Sequence, residues 1–381
     1  PRRRFRINRL LGRIVPIIIL VYVSYTYDLV VVRYAYRYLY RVKGQRLVPI
    51  LWLGPAHAVF LIALRAYLRV FLAHGTQPGN RYTVKGIQGW LRSILGANFP
   101  SPSPESDGQV YLDDTMDDGE TGKVTIQYCQ ADGQPVRCWR DQCGGRIKAF
   151  RTRHCGDCGV CRVGFDHHCA WFDNDVTGPA TLRPFLVFLG CVPTLVGLVL
   201  GPLLPAAWKV TKEITHFAAS DPGLVESWWS KWYSWVGGPA FRWMVGWVLG
   251  ARHWSSFSAP LASFMTPRLP IIVAFGGIFV SIASILAYST VSNLAHGKLT
   301  IDVERERARQ RLLHKCDIFQ AQVKKGTRSP DYSAFKLLEK DIDTLSSVSY
   351  FLVRLADKSA LVPLSPKEDG LFDYGGVETN L

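Results

Sequence analysis

Between Cys138 and Asp175 the chain reads CWRDQCGGRIKAFRTRHCGDCGVCRVGFDHHCAWFDND. Seven of the nine cysteines lie between Cys129 and Cys169, and three of the nine histidines share that window. A packed core would place such residues at a helical or strand period, and these follow neither. Metal ligation and thiol chemistry are the readings left. Zinc takes four ligands in a tetrahedron from thiolates and imidazoles, and close pairs on tight turns supply them most simply. Cys155, Cys158 and Cys161 form CxxCxxC directly after His154, and Cys138 and Cys143 make a looser pair. Asp166, His167, His168 and Cys169 follow, then Asp175. This inventory has donors for two tetrahedral sites, with one Cys, one His and one Asp left over. The prominence of histidine argues against an iron–sulfur cluster. Short metal-like spacings, instead of a spread disulfide framework, point to a reducing compartment. With so few apolar side chains, a stretch of this kind is held together by metal.

Outward from this stretch the chain becomes apolar on both sides. Upstream, residues 1–13 are a basic lead-in to a run from Ile14 to about Val32, interrupted by Asp28. That run is as long as a membrane span and lacks the small-residue cleavage site of a signal peptide. VVRYAYRYLYRVKGQR (31–46) is aromatic and basic and suits the headgroup level. A second run covers Leu47–Leu72, with Arg65 and Arg69 near its end, where they can snorkel. GNRYTVKGIQGWLRSILG (79–96) can form a short interfacial helix, and residues 99–122 are an acidic, Ser/Pro/Gly-rich insert. Downstream, Leu182–Trp208 is a third span, in which Gly190, Cys191 and Gly197 read as small helix-packing residues. Residues 226–254 are rich in tryptophan but broken by Gly, Pro and Arg. They read mainly as an interfacial loop or re-entrant element, the alternative being an extra span. Leu269–Leu294 is a fourth span, LTIDVERERARQRLL (299–313) an amphipathic helix, and a further helix is expected around 332–356.

The 381 residues would fill two or three soluble domains, but mean hydropathy of +0.07 and 48% apolar content argue for membrane embedding. The formal charge of +15 suits nucleic acid or an anionic membrane face equally. Four apolar spans decide for the membrane, and no nucleic-acid partner is expected. Four spans put both ends and residues 73–181 on one side, where the positive-inside rule wants PRRRFR and RERARQR. Arg37, Arg41, Lys43 and Arg46 on the other side conflict with that rule. The sequence begins at Pro1 without an initiator methionine, so the true N-terminus is expected upstream.

The pattern HCxxCxxCxxxxDHHCxW, from His154 to Trp171, resembles the signature of the DHHC family of protein S-acyltransferases (palmitoyltransferases), and looks most like its divergent fungal members. The placement of the stretch between the second and third spans is similar too. The resemblance implies an all-α membrane fold, a four-transmembrane-helix bundle with a cytosolic zinc-binding cysteine-rich domain between the second and third helices. It divides the chain into a basic segment 1–13, spans one and two within 14–72, a linker 73–122, a zinc domain 123–181 and span three at 182–208. A Trp-rich luminal or interfacial loop 209–268, span four at 269–294 and a cytosolic C-terminal domain 295–381 follow. It also implies two structural zinc ions, one on Cys138, Cys143, His154 and Cys161, the other on Cys155, Cys158, His168 and residue 175. Cys169 would carry the acyl group, with His167 as its base and Asp166 orienting that imidazole. The chemistry agrees, because a thiol is mostly protonated at neutral pH and a neighbouring imidazole raises its thiolate content. Arg146, Lys148, Arg151, Arg153 and Arg162 are candidates for the phosphates of CoA.

The chain departs from the family pattern at several places. The first cysteine pair is CxxxxC, the run to His154 is one residue longer than usual, and Cys129 is an alternative to Cys138 as ligand. Ala170 stands where the family has proline, and Asp175 where it has its last zinc cysteine; carboxylate is also a zinc ligand. Thr300 and Asp302 stand where a Thr-Thr-x-Glu motif is expected, the other reading being an ordinary helix cap. Phe372, Asp373, Gly376 and Asn380 resemble the family's C-terminal pattern. Cys316 reads as an ordinary thiol. The expected function is transfer of a palmitoyl or similar chain from acyl-CoA, through an acyl-Cys169 thioester, to membrane-associated or cytosolic proteins with juxtamembrane cysteines. The expected setting is an endomembrane (endoplasmic reticulum or Golgi), vacuolar or plasma membrane, among membrane lipids and with the active site on the cytosolic face. The rival is a catalytically weak zinc-domain adaptor.

Overall fold

The structure, a computed structural model, describes residues 7–73, 109–113, 123–178, 180–257, 266–325, 349–354 and 359–364. Helix α1 (Ile7–Tyr27) runs unbroken into a π-wound segment (Asp28–Val42), and α2 (Leu47–Phe71) follows. Next come strands β1 (Gln109–Asp113), β2 (Lys123–Cys129), β3 (Arg153–Cys155), β4 (Val160–Arg162), β5 (Phe165–Cys169) and β6 (Asn174–Thr177). Helix α3 (Leu182–Leu200) continues through one 3-10 turn into α4 (Leu204–Ser220). Helices α5 (Gly238–Phe257), α6 (Arg268–Ala295) and α7 (Thr300–Lys324) precede strands β7 (Ser349–Arg354) and β8 (Ser359–Leu364).

Among the described residues, four helices are long and apolar enough to cross a membrane: Ile14–Val42, Leu47–Phe71, Leu182–Ser220 and Arg268–Ala295. The chain is an integral membrane protein. In hydrocarbon no water satisfies a bare peptide group, so these apolar runs must close their hydrogen bonds as helices. Ile17, Leu20, Leu61 and Ile278 point outward from the spans, as lipid-facing side chains should.

The chain divides into two compact units, one of residues 14–65 and 187–286, the other of 1–13, 66–186 and 287–381. In the first, Leu29, Val30, Leu53, Leu200, Leu269 and Ile272 bring all four spans into one core. Two polar ties cross it: Tyr22 Oη donates to the Ile272 carbonyl at 3.1 Å, and Trp52 Nε1 to that of Leu198 at 2.7 Å. Along the π-wound segment, Arg33 reaches Asp28 and Arg41 reaches Tyr36, both five residues back, the spacing that a π turn aligns. Arg41, Lys43 and Arg46 lie over the rings of Tyr36, Tyr38 and Tyr40, in a basic–aromatic girdle of the kind found at headgroup level. Three of the four charges that conflict with the positive-inside count are accommodated in this way.

Two expectations for this unit are corrected. Gly190 and Gly197 have nothing near where a side chain would stand, so close helix packing does not explain them. Gly276 does pack: a Cβ there would come within 2.8 Å of Leu200 and 2.9 Å of the Tyr22 hydroxyl. Residues 226–254 are not mainly loop, because α5 occupies Gly238–Phe257 and packs on α4 through Val210, Ile214 and Ala251, flanked by Trp247 and Trp254. It is not one of the four spans.

The second unit holds the cysteine region and a four-stranded antiparallel sheet of order β1-β2-β7-β8. Strand β7 lies where a helix was expected. SYFLVR pairs along β2, and setting Phe351 opposite Tyr128 brings both rings against Phe150, edge-on or tilted, at centroid distances of 5.3–5.8 Å. The expected helix over 299–313 is present as α7. The remainder of the stretch 332–356, the tail motif at 371–380, residues 79–96 and most of the acidic insert lie outside the described residues.

Candidate active site and metal centres

The cysteine region is built from small hairpins whose period-2 alternation sorts its side chains. In β3–β4, His154 pairs opposite Cys161 and Cys155 opposite Val160, across a turn that Gly159 enters at φ +75°. Successive side chains on a strand face opposite sides, so His154 and Cys155, adjacent in sequence, serve different clusters. Cys138, Cys143, His154 and Cys161 form one; Cys155, Cys158, His168 and Asp175 form the other. Within each, one donor atom per residue lies within 4.8 Å of all the rest. In β5–β6 His168 stands opposite Asp175 and Cys169 opposite Asn174, so the same alternation parts the ligand from the free thiol. Cys129 pairs with Tyr350 in the sheet and belongs to neither cluster.

The donor sets fit zinc. Around an ion with Zn–S bonds of ~2.3 Å, a tetrahedron has S···S edges of about 3.8 Å. Cys143 and Cys161 Sγ are 3.6 Å apart, and His154 Nδ1 is 3.2 Å from Cys143 and 3.8 Å from Cys161. In the second cluster His168 Nδ1 is 3.4 Å from Cys158 Sγ and 3.0 Å from Asp175 Oδ1. The hydrogen bond from Cys158 draws the Cys155 thiol down to about 6, while the same contact pushes Cys158 up. One thiolate is thus already favoured there, as a metal ligand requires.

Asp175 is held from both sides. Its Oδ1 faces His168, and its Oδ2 accepts from Arg162 Nε at 3.2 Å, the carboxylate being almost fully buried. Burial alone would raise its pKa, but the His168 hydrogen bond and the Arg162 charge hold it below the usual carboxylate range. Arg162, a candidate for CoA phosphate, is therefore committed to the second cluster. Arg151 is committed too: its Nη2 contacts Asp302 Oδ2 at 2.9 Å and the Gly297 carbonyl at 2.8 Å. Arg153 reaches Glu304 at 3.5 Å in an exposed pair. Arg146 and Lys148 lie beside the first cluster, where their charges favour the thiolates of Cys143 and Cys138.

Next to the second cluster lies a Cys–His–Asp array. The buried Asp166 accepts from His167 Nδ1 at 2.7 Å, and the Cys169 thiol is the imidazole's other hydrogen-bonding neighbour. Burial pulls the His167 pKa down, yet Asp166 and Cys169 together prevail and raise it to about 9. Asp166 is itself fixed by the start of α7: Thr300 donates its N–H to Oδ1 at 2.6 Å and its hydroxyl to Oδ2 at 3.0 Å. Thr300 is thus more than a helix cap, and Asp302 adds a bond from the Leu299 N–H at 3.0 Å. Phe185, in the first turn of α3, packs edge-on to His167 with centroids 5.3 Å apart. Tyr67, in the last turns of α2, donates to the Trp171 carbonyl at 3.0 Å, and Asn174 Nδ2 to that of Val70 at 2.5 Å. Asp173 takes a left-handed backbone at φ +46°, and Gly12 approaches its carboxylate so closely that no side chain would fit. Sequence reasoning passed over Tyr67, Asn174 and Phe185, which carry no motif of their own and act through packing.

Residues 137–306 match the family model described as DHHC palmitoyltransferase. Palmitoyltransferase spe-10 of Caenorhabditis elegans is 42% identical over 67 residues, 18% of either chain. Probable protein S-acyltransferase 13 of Arabidopsis thaliana is 28% identical over 183 residues, 48% of this chain and 51% of that one. Palmitoyltransferase ZDHHC15 of Xenopus laevis is 27% identical over 133 residues, 35% of each. The chain thus spans about half the length of these relatives, or less.

Proposed function

We propose, from the match of residues 137–306 to the DHHC palmitoyltransferase family model and from the geometry of the site, that this chain is a protein S-acyltransferase. It moves a palmitoyl or similar long acyl group from acyl-CoA to protein cysteines by way of Cys169. The observation that carries the reading is the Thr300–Asp166–His167 relay, built on the buried Asp166 and ending at the one thiol of the DHHC stretch outside both quartets. In the first half-reaction Cys169 gives its proton to the His167 nitrogen remote from Asp166. The thiolate forms a bond to the thioester carbonyl, the bond to the CoA sulfur breaks, and that sulfur takes the proton from His167. In the second half, His167 accepts the proton of the substrate cysteine, whose thiolate attacks acyl-Cys169. The Cys169 sulfur departs and recovers the proton. Asp166 holds the imidazole in one tautomer and stabilises its charged form throughout.

Two zinc ions, held by Cys138, Cys143, His154 and Cys161 and by Cys155, Cys158, His168 and Asp175, would tie the loops together and supply no group to the reaction. The last turns of α2 and the first of α3, which pin the catalytic loop through Tyr67 and Phe185, belong to membrane-spanning helices. An acyl chain dissolved in the bilayer can therefore present its thioester to Cys169. Arg146, Lys148 and Arg153 are the residues proposed to face the CoA phosphates; Arg151 and Arg162 are held in part-buried carboxylate pairs, whereas the pair of Arg153 with Glu304 is long and exposed. The proposed acceptors are cysteines close to the membrane surface, in cytosolic or membrane-associated proteins, with the site facing the cytosol of an endomembrane, vacuolar or plasma membrane. The test is a chase. Purified chain loaded from radiolabelled palmitoyl-CoA is mixed with a lipidated peptide bearing one cysteine. Label should pass from protein to peptide, and retention on the protein or loss to water alone would contradict the transfer step.

A further inference from the structure

Helices α4 and α5 form a hairpin whose two outer faces differ in kind. The third span and its extension, Leu182–Ser220, count 39 residues and rise roughly 58 Å at ~1.5 Å per residue, well beyond a hydrocarbon layer of ~30 Å. The α4 part is built for water on its free side: Lys209, Lys212, Glu213 and His216 are exposed there, while Val210, Ile214 and Ala218 face α5. Helix α5 meets it closely through Gly250, which abuts Ala218, and meets the connecting segment through Gly246, which abuts Trp229. The opposite face of α5 carries Phe241, Met244 and Val248, at spacings of three and four, with Met244 57% and Val248 54% exposed. A water-facing helix puts its charges on such a face. Here the only charge in the first three turns, Arg242, is folded inward instead. It donates to the Trp229 carbonyl and lies 4.0 Å from the centre of the Trp235 ring. The loop before α5 adds Trp232, 80% exposed, together with Trp235 and Val236.

We infer that the outer face of α5 and the tryptophan loop dock onto phospholipid, lying in the interface of the bilayer that α3 spans. The occupant is argued from continuity, because the hairpin joins a membrane span directly, through the 3-10 turn Gly201–Leu203. It is argued also from chemistry, since tryptophan and tyrosine with adjacent basic groups concentrate at the headgroup–acyl boundary, where an uncharged face buries apolar area. The α4 face with Lys212 and His216 stays in water.

The full chain, reconstituted in phosphatidylcholine vesicles with a phospholipid bearing a diazirine near its ester carbonyl, is irradiated, and adducts are located by mass spectrometry. Adducts are expected on residues 232–248 as well as on α6, with none on 209–216. The Met244→Glu/Val248→Glu double variant should lose the α5 adducts and keep those on α6, which report the intact bundle. Lipid adducts confined to the four spans in the unaltered chain would overturn the inference. Chain-to-chain cross-links through α5 in place of lipid adducts would overturn it in favour of a second copy.

Discussion

In the second metal cluster Asp175 stands where the DHHC pattern has a thiolate, and Arg162 is bonded to its outer oxygen. A carboxylate offers two oxygens where a thiolate offers one sulfur, so the spare oxygen needs a partner once buried, and Arg162 supplies it. Asp175→Ala removes a ligand, and zinc measured by atomic emission on the purified chain is expected to fall from two ions per chain to one. Arg162→Met keeps all four ligands and removes only the orienting partner. Its second ion should yield to a chelator at concentrations ~10–100-fold lower, the range typical for partners one shell out from a metal. At the catalytic array, His167→Ala should slow acyl loading of Cys169 by about 10²–10⁴, the usual worth of a positioned base. Single-turnover labelling checks this, and an unchanged rate would remove His167 from the mechanism.

At the scale of elements, the start of α7 is tied to the site by Thr300. Thr300→Val keeps the backbone donor and deletes the hydroxyl bond to Asp166, a loss of about 1–1.5 kcal/mol. Acyl loading should fall roughly 5–10-fold by that measure, and Thr300→Ser should restore it. In the α4–α5 hairpin, Gly250→Val drives a branched side chain against Ala218, an overpacking of about 1–3 kcal/mol. Limited proteolysis should then cut faster within residues 221–237, while metal content stays unchanged. These elements also mark what the sequence could and could not tell. Donors for two tetrahedral sites were legible because ligand spacing on tight turns is local, and His154 through Cys161 spells it out in eight residues; which donor joins which quartet came from the resemblance to the DHHC pattern. The role of Thr300 was half visible, since its partner Asp166 is 134 positions away and no local pattern reports so distant a bond. Helix α5 was hidden because Gly246, Gly250 and Arg242 look like helix-breakers or charges in sequence, whereas packing makes them a contact face and an inward anchor. Strand β7 was misread as helix because SYFLVR is too short to show its period until β2 and β8 pair with it.

For the whole molecule, four apolar helices make a membrane protein, and a hairpin-built region between the second and third holds two donor quartets with the Cys169 thiol apart from both. That arrangement follows from composition: long apolar runs admit only helices in lipid, and the Gly-, Arg- and Cys-rich stretch gathers its donors into two quartets that fit zinc. The charge at residues 37–46 was the one feature that ran against the expected topology, and the aromatic girdle of Tyr36, Tyr38 and Tyr40 accommodates three of its cations. The proposed function rests on Cys169 carrying the acyl group. The direct measurement is acyl labelling of the purified, membrane-reconstituted chain with a palmitoyl-CoA probe, followed by treatment with neutral hydroxylamine, which cleaves thioesters. The unaltered chain should take up hydroxylamine-sensitive label and Cys169→Ser should take up none. No label on the unaltered chain, or equal label on Cys169→Ser, would contradict the account.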